Sequence, residues 1–119
     1  MIAEQLQVWL DRYVDAWRSY DRAAIEALFT DDCEYWYHPY DDSPVVGATA
    51  IADSWLEEQD RPGSWEASYR PHLIEGEKAV VEGTTTYDTG RKFWNIWTLD
   101  FAPDGRCRHF VEWYMLEPS

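Results

Sequence analysis

The chain has 119 residues, with 23 acidic and 10 basic side chains, so its formal net charge is −13. This charge argues against a nucleic-acid binder, because phosphate contacts need Lys and Arg, and against docking on an anionic membrane surface. The aromatic content of 17% excludes an acidic disordered chain, which would be poor in rings. We expect one domain spanning residues 1–119.

The first half of the chain has the apolar periodicity of helices. Over residues 2–19 apolar side chains recur at three- and four-residue steps, which is typical of a helix with one buried stripe. Asp21 is the expected N-cap of a short second helix that residues 30–32 end. After a short aromatic strand over residues 34–38, a third helix is expected over residues 49–59.

The second half of the chain predicts four strands joined by Gly-containing turns. The strands are expected over residues 65–74, 78–87, 92–101 and 106–116, and their short turns indicate an antiparallel meander. Because helices come first and strands follow, the sequence predicts an α+β fold.

Strict alternation assigns side chains to the two faces of the last two strands. Asn95 and Trp97 share one face of the third strand, while Arg108, Phe110 and Glu112 share a face of the fourth. The opposite faces also carry large apolar groups, namely Trp94, Ile96, Val111, Trp113 and Met115. One face must cover the helices, and the other would be a large apolar patch on a monomer. We therefore expect a homodimer packed through the sheets.

Cys33 and Cys107 are the only cysteines and have no metal-type spacing. We expect two free thiols in a reducing compartment; the sequence allows a disulfide between them but does not require one. The N-terminal stretch has no basic region and no apolar run, so we expect a cytoplasmic protein. No phosphate loop and no recognisable His-based metal spacing occurs, so we expect neither cofactor nor metal.

The order and spacing of several short motifs resemble the nuclear-transport-factor-2-like superfamily, and in particular its SnoaL-like members. The resemblance covers nearly the whole chain and is more specific for the fold than for an activity. The motifs that carry it are Arg12-Tyr13-Val14 with Trp17, Ala27 to Asp32, Val46-Gly47 followed by Ile51, Asn95 to Phe101, Asp104-Gly105-Arg106, and Glu112-Trp113-Tyr114.

The resemblance implies a cone, in which three N-terminal helices pack on a curved antiparallel sheet and leave a pocket at the open end. Relatives of this kind include ketosteroid isomerase, scytalone dehydratase, limonene epoxide hydrolase and polyketide cyclases. Others bind without catalysis or only mediate protein association, so the fold does not settle the function.

The isomerase pattern can be carried over position by position. Tyr13 matches the hydrogen-bond-donating tyrosine, and His38, just before Pro39, matches the catalytic aspartate when that proline anchors the alignment. Trp97 stands where the isomerase has its second acidic donor; its indole N–H is no strong acid, so steroid isomerisation itself is not expected. Glu112 matches the carboxylate that polyketide cyclases of this fold place toward the end of the sheet.

The alignment leaves the inner face of the aromatic strand open. A slip of one residue exchanges the two faces of a strand. Either Trp36 and His38 or Tyr35 and Tyr37 therefore point into the cone.

Glu112 is the first catalytic candidate, because a carboxyl group among apolar side chains would have a raised pKa. Its alternative role is a structural hydrogen bond or salt bridge, for example to Arg108 or Tyr13. His38 and Tyr13 are the other catalytic candidates. The alternative for His38 is a residue that caps the turn beside Pro39 or lies at the pocket rim, and the alternative for Tyr13 is a core residue. The expected pocket walls and substrate-binding residues are Trp17, Tyr35, Tyr37, Trp55, Asn95, Trp97, Phe110 and Tyr114.

Two functions remain open from the sequence. The first is a cofactor-free acid–base enzyme of the isomerase, cyclase, dehydratase or epoxide-hydrolase type, acting on a small apolar or aromatic molecule. The second is a non-catalytic module of the same fold that binds a small molecule or associates with a protein. A pocket filled by rings, with the carboxylate of Glu112 paired to an arginine, would contradict the enzyme.

Overall fold

Three helices form the N-terminal layer of the computed structural model, which describes all 119 residues. They are α1 (Ala3–Ser19), α2 (Arg22–Glu26) and α3 (Ala48–Glu57). The stripe predicted by periodicity packs into the core along most of α1. The helix ends at Ser19; the next residue, Tyr20, has a left-handed φ of 50° and its N–H makes the last bond, to the Ala16 carbonyl. No helix is long and apolar enough to cross a membrane.

Six strands form one sheet behind these helices. They are β1 (Phe29–Trp36), β2 (Val45–Val46), β3 (Trp65–Glu75), β4 (Lys78–Tyr87), β5 (Lys92–Phe101) and β6 (Cys107–Leu116). Their order is β2-β1-β6-β5-β4-β3. All neighbours are antiparallel except β1 and β6, which run parallel. The predicted α+β fold, with N-terminal helices on a mostly antiparallel sheet, is confirmed.

The strand β1 starts earlier than the sequence predicts. Residues 30–32, expected to end the second helix, lie in β1, which begins at Phe29. Phe29 is fully buried and pairs with Cys107 of β6. Burial of this ring is compatible with a helix or a strand, so pairing with a distant strand decides the structure. At its other end β1 stops at Trp36, and Asp41 accepts a hydrogen bond from the His38 N–H in the following turn.

Gly47 permits the sharp entry into α3. Its φ is 93°, and a Cβ at this position would lie 2.7 Å from the carbonyl oxygen of Asp31. A side chain would be both strained and too close to the β1 backbone. Glycine thus holds the start of α3 against β1.

The alternation predicted for β5 is confirmed, because Asn95, Trp97, Leu99 and Phe101 are all buried. In β6 it fails at one position. Arg108, expected to share the face of Phe110, is exposed and donates to Asp100. The ladder between β5 and β6 is irregular at this point, and an extra residue in one strand reverses the side-chain alternation.

The two thiols lie in the core between helices and sheet. Cys33 and Cys107 are both fully buried and form no disulfide. Burial raises the pKa of the Cys107 thiol, and the neighbouring Cys33 raises it further. Both behave as small apolar core side chains.

Candidate functional site

A cavity of about 280 Å³ opens between the helices and the inner face of the sheet. Its volume is close to the lower end of the range of small-molecule sites, roughly 300–1,000 Å³. Its polar lining consists of Ser54, Glu58, Asp60, Thr85, Asn95 and Glu112. All of its apolar lining is aromatic: Tyr13, Trp17, Tyr20, Tyr35, Tyr37, Trp55, Tyr69, Tyr87, Phe93, Trp97 and Tyr114.

Tyr35 and Tyr37, not Trp36 and His38, face this cavity. Tyr35 is buried, and its hydroxyl lies 2.6 Å from the Tyr13 hydroxyl. The Tyr37 hydroxyl lies 2.6 Å from Ser54 of α3. The one-residue ambiguity in the sequence is thus resolved in favour of the two tyrosines.

Glu112 lies in the wall that the sheet contributes. It is directly opposite Trp97 in the β5–β6 ladder, and its Oε2 accepts a hydrogen bond from the Trp97 indole N–H. The same oxygen accepts a second bond from Asn95 Nδ2 at 3.3 Å. No arginine pairs with Glu112, because Arg108 is bound to Asp100. The structural salt bridge considered from the sequence is therefore absent.

The second carboxylate oxygen, Oε1, has no hydrogen-bond partner among these contacts of Glu112. Every fully enclosed polar side-chain atom in the protein does have a partner. Oε1 is therefore accessible, while Oε2 is fixed by two donors. The two oxygens of one carboxyl group have different surroundings.

A chain of buried hydroxyls orients the Asn95 amide. Thr85 Oγ1 donates to Asn95 Oδ1 at 3.1 Å, so the Tyr69 hydroxyl, 2.5 Å from Thr85, must act as the donor in that contact. The amide oxygen of Asn95 is thereby occupied, and its NH₂ group is turned toward Glu112. The three side chains of Tyr69, Thr85 and Asn95 together hold the carboxyl group of Glu112 in one position.

The pKa of Glu112 is raised to about 7 from an ordinary value of 4.5. Burial is the main cause, since it disfavours the charged form, and the hydrogen bonds from Trp97 and Asn95 partly offset it by stabilising the carboxylate. Near neutral pH the group therefore exists in both protonation states, as a general acid or base requires.

The two facing hydroxyls of Tyr13 and Tyr35 remain protonated at any ordinary pH. Burial raises the pKa of each tyrosine well above 10, and the charge of Glu112 adds to the rise in both. Tyr35 raises the pKa of Tyr13 further, whereas the hydrogen bond from Tyr13 partly offsets the rise at Tyr35. In a pair of hydroxyls one proton bridges the two oxygens, and the second proton stays available. The pair can therefore donate one hydrogen bond to a ligand oxygen.

The mouth of the cavity is acidic and rigidly built. Asp60, in the loop after α3, accepts a hydrogen bond from the Trp17 indole at 3.0 Å, and its own N–H donates to the Tyr20 hydroxyl at 2.8 Å. Trp17 is in turn stacked on Trp65, with ring centroids 3.5 Å apart. Glu58 completes the acidic side of the rim.

Nine of the predicted site residues line the cavity, and two do not. Phe110 is fully buried and stacks beneath the rings of Tyr35 and Tyr13, so it supports the wall without reaching the surface. His38 is absent from the cavity and lines a neighbouring groove, which extends over the outer face of the sheet and shares Asn95, Glu112 and Tyr114 with the cavity. Its ring bonds to Asp41 and to the Tyr114 hydroxyl, at 3.1 and 3.2 Å.

Sequence reasoning missed the contributions of β3, β4 and the loop after α3. Alternation along β3 and β4 could have identified Tyr69 and Thr85, which lie on the inner face. Asp60 and Glu58 carry no periodic signal, because their place at the rim depends on how the loop docks. No group of three His, Cys, Asp or Glu side chains in the chain could hold a metal ion.

The family follows from comparison with known sequences. The model of the SnoaL-like domain family matches residues 10–110. The chain belongs to the SnoaL-like family. No curated protein matches this SnoaL-like chain by sequence.

Several solved structures share the fold of this SnoaL-like chain. An NTF-2-like protein of unknown function from Burkholderia xenovorans LB400 is 20% identical with a TM-score of 0.74, over 98% of this chain and 86% of that one. An LEH-like epoxide hydrolase from Mycobacterium tuberculosis is 18% identical with a TM-score of 0.69, over 95% and 84%. A computationally designed 17-OHP binder is 12% identical with a TM-score of 0.64, over 98% and 100%. At these identities the likeness concerns the fold.

Proposed function

We propose that this SnoaL-like protein is a cofactor-free acid–base enzyme that acts on a small, largely apolar molecule, with Glu112 as the group that moves the proton. One observation supports this above all: a carboxyl group with a pKa of about 7 and one free oxygen stands in the wall of an aromatic cavity. Such a group can take or give a proton near neutral pH with little driving force lost.

The free Oε1 is the atom that exchanges the proton in this proposal. Trp97 and Asn95 occupy Oε2, so a proton on the neutral acid resides on Oε1. Both N–H groups stabilise the carboxylate and not the substrate. They keep the carboxyl group in one orientation, so less conformational entropy is lost when the reactive geometry forms.

The Tyr13–Tyr35 pair is the electrophilic side of the proposed reaction. Its remaining hydroxyl proton would donate to a carbonyl or epoxide oxygen and stabilise negative charge as it develops there. A carboxyl base and a phenol donor are sufficient for proton abstraction beside a carbonyl, for dehydration, or for epoxide opening by a water molecule that gives its proton to the carboxylate as it attacks carbon. Tyr13 is thus a catalytic residue in this proposal, and Tyr35 is its partner.

The test is turnover of a panel of ketones, polyketide fragments and epoxides, followed by pH–rate profiles of Glu112→Gln and of the control His38→Ala. We expect Glu112→Gln to lower kcat/KM by at least about 100-fold and to abolish an inflection near pH 7. His38→Ala should keep the inflection near pH 7, because His38 does not line the cavity and contacts its wall only through the Tyr114 hydroxyl.

Saturable binding without turnover of any panel member would contradict the enzyme and favour a non-catalytic binding module. Equal activity of Glu112→Gln and the unchanged protein would contradict the role of Glu112. Loss of activity in His38→Ala alone would indicate that the proton is transferred in the groove that contains His38.

We also propose a homodimer through the outer face of the sheet. Trp94 pairs with Met115, and Ile96 pairs with Trp113, in the two central strands β5 and β6. All four side chains are exposed, and together they form a contiguous apolar patch of the kind that monomers rarely leave uncovered. A second copy suits a central, self-complementary patch because a two-fold axis pairs the same surface with itself.

Sedimentation equilibrium at micromolar concentration tests the dimer. We expect a dimer for the unchanged protein and a monomer for Trp113→Glu, with circular dichroism confirming that the variant is folded. Asp60→Asn, at the cavity mouth, is the control and should remain dimeric. A monomeric unchanged protein would refute the proposal.

A further inference from the structure

The ligand cavity contains no basic side chain. Its lining includes three carboxyl groups, those of Glu58, Asp60 and Glu112, and no Lys, Arg or His. None of the three takes part in a salt bridge. The nearest arginine in sequence, Arg61, is bound to Asp88 at 2.5 Å. The mouth of the cavity therefore carries negative charge without a counter-charge, and Glu112 in the wall adds to it in its ionised form.

The absence of aliphatic side chains from the lining is a separate observation. A cavity for an uncharged apolar molecule is served equally well by Leu, Val or Ile, yet every apolar lining residue here is aromatic. The face of an aromatic ring is electronegative and attracts a cation within about 6 Å. Rings and carboxylates that converge on one space form the kind of cage that recognises ammonium groups.

The field of the whole protein has the same sign as the cavity. The chain carries a formal net charge of −13, and a cleft with low-dielectric walls concentrates such a field at its mouth. An anionic ligand would meet unpaired carboxylates in a place where water is partly excluded. A cation would be attracted at a distance and stabilised after entry.

We infer that the molecule bound in this cavity is an organic cation, a protonated or quaternary amine with an apolar body small enough for about 280 Å³. The inference rests on the proposed function, because it specifies the ligand of the same cavity. Asp60 is the main countercharge: its carboxylate is held by the Trp17 indole, beside the ring of Tyr20. The apolar body lies deeper, among the rings near Glu112.

Three soluble probes of one shape and different charge test this inference: benzylammonium, benzyl alcohol and benzoate. Binding is measured by quenching of tryptophan fluorescence at neutral pH and low salt, with benzyltrimethylammonium as a cation that cannot donate a hydrogen bond. We expect benzylammonium to bind at least about fivefold tighter than benzyl alcohol, and benzoate to bind least. Benzyltrimethylammonium should keep most of the advantage, because the rings recognise charge and not N–H donors.

Asp60→Asn keeps the shape of the rim and an acceptor for the Trp17 indole. It should reduce the ratio of cation to alcohol affinity by about threefold and leave alcohol binding unchanged. The matched control is Glu75→Gln, which removes an exposed carboxylate at the far end of β3 and should leave the ratio unchanged.

Equal affinity for the alcohol and the cation, or tighter binding of benzoate, would overturn the inference. This failure is distinct from failure of the proposed function, which is read from the turnover and pH profile of Glu112→Gln. If Glu75→Gln reduced the cation preference as strongly as Asp60→Asn does, the preference would come from the overall charge of the protein and not from the cavity. That result would also overturn the inference.

Discussion

Trp97 and Glu112 are directly opposed in the β5–β6 ladder, and the indole N–H of the first donates to Oε2 of the second. The bond stabilises the ionised carboxyl group and so lowers a pKa that burial has raised. We expect Trp97→Phe, which keeps a ring but removes the donor, to raise the pKa of Glu112 further above 7. Carbon-detected NMR titration of the Glu112 carboxyl measures it, and an unchanged or lower pKa would contradict the assignment.

The raised pKa of Glu112 also makes the free energy of unfolding depend on pH. The folded protein binds this proton more tightly than the unfolded chain, whose Glu has its ordinary pKa of 4.5. The stabilisation is complete below that value and is lost as the pH rises through about 7; the loss is at most ~3.4 kcal/mol.

Glu112→Gln should therefore gain stability relative to the unchanged protein as the pH rises. The comparison is urea unfolding of both proteins at about pH 5 and about pH 8, which cancels the effect of every other titrating group. A stability difference that stays constant between the two pH values would show that Glu112 titrates normally.

The Tyr13–Tyr35 hydroxyl pair should be energetically coupled. Each of Tyr13→Phe and Tyr35→Phe removes one member of a buried 2.6 Å contact, at a cost of about 1 kcal/mol in the free energy of unfolding. Because the double variant leaves no unpaired hydroxyl, its cost should fall short of the sum by roughly 0.5–1 kcal/mol. Denaturant unfolding of the four proteins gives the coupling.

Tyr37→Phe is the control for this cycle. Its hydroxyl also has a 2.6 Å contact, with Ser54, but in a more exposed place, so its loss should cost less. Strict additivity of Tyr13→Phe and Tyr35→Phe would contradict a paired donor.

Gly83 should not tolerate a methyl group. It lies opposite Tyr69 in the β3–β4 ladder, and a Cβ there would be 2.2 Å from the Ser68 carbonyl oxygen and 2.4 Å from Tyr69 Cδ1. We expect Gly83→Ala to destabilise the protein by about 2 kcal/mol, although alanine normally suits a strand better than glycine. Thermal and urea unfolding measure the change; a stabilised variant would contradict the close approach.

The inner wall formed by β5 and β6 could be predicted because side-chain alternation is a local property. Counting by twos placed Asn95 and Trp97 together and placed Glu112 on the inner face of its strand, and the structure brings all three into contact. The same counting failed at Arg108. It assumes that the strand is regular, and the β5–β6 ladder contains a register shift at this position. Local rules hold until the strand pairing changes.

The rest of the site depends on distant parts of the chain. Phe29 satisfies helix and strand patterns equally, and its partner in β6 decides between them. Asp60 is one acidic loop residue among many until Trp17 donates to it. His38 looked catalytic beside Pro39, but the turn closed by Asp41 places its ring outside the cavity. The positions of these three residues cannot be predicted from the sequence pattern of the segments in which they lie.

The parallel pairing of β1 with β6 has a consequence for biosynthesis. The first strand of the fold to be synthesised, β1, lies between β2 and β6, so β1 cannot complete its pairing in the sheet until β6 has left the ribosome. Closing so long a loop is slow compared with forming the β3–β6 meander. A chain shortened before β6 would expose Phe29 and its neighbours in the core, and we expect such nascent chains to need chaperones.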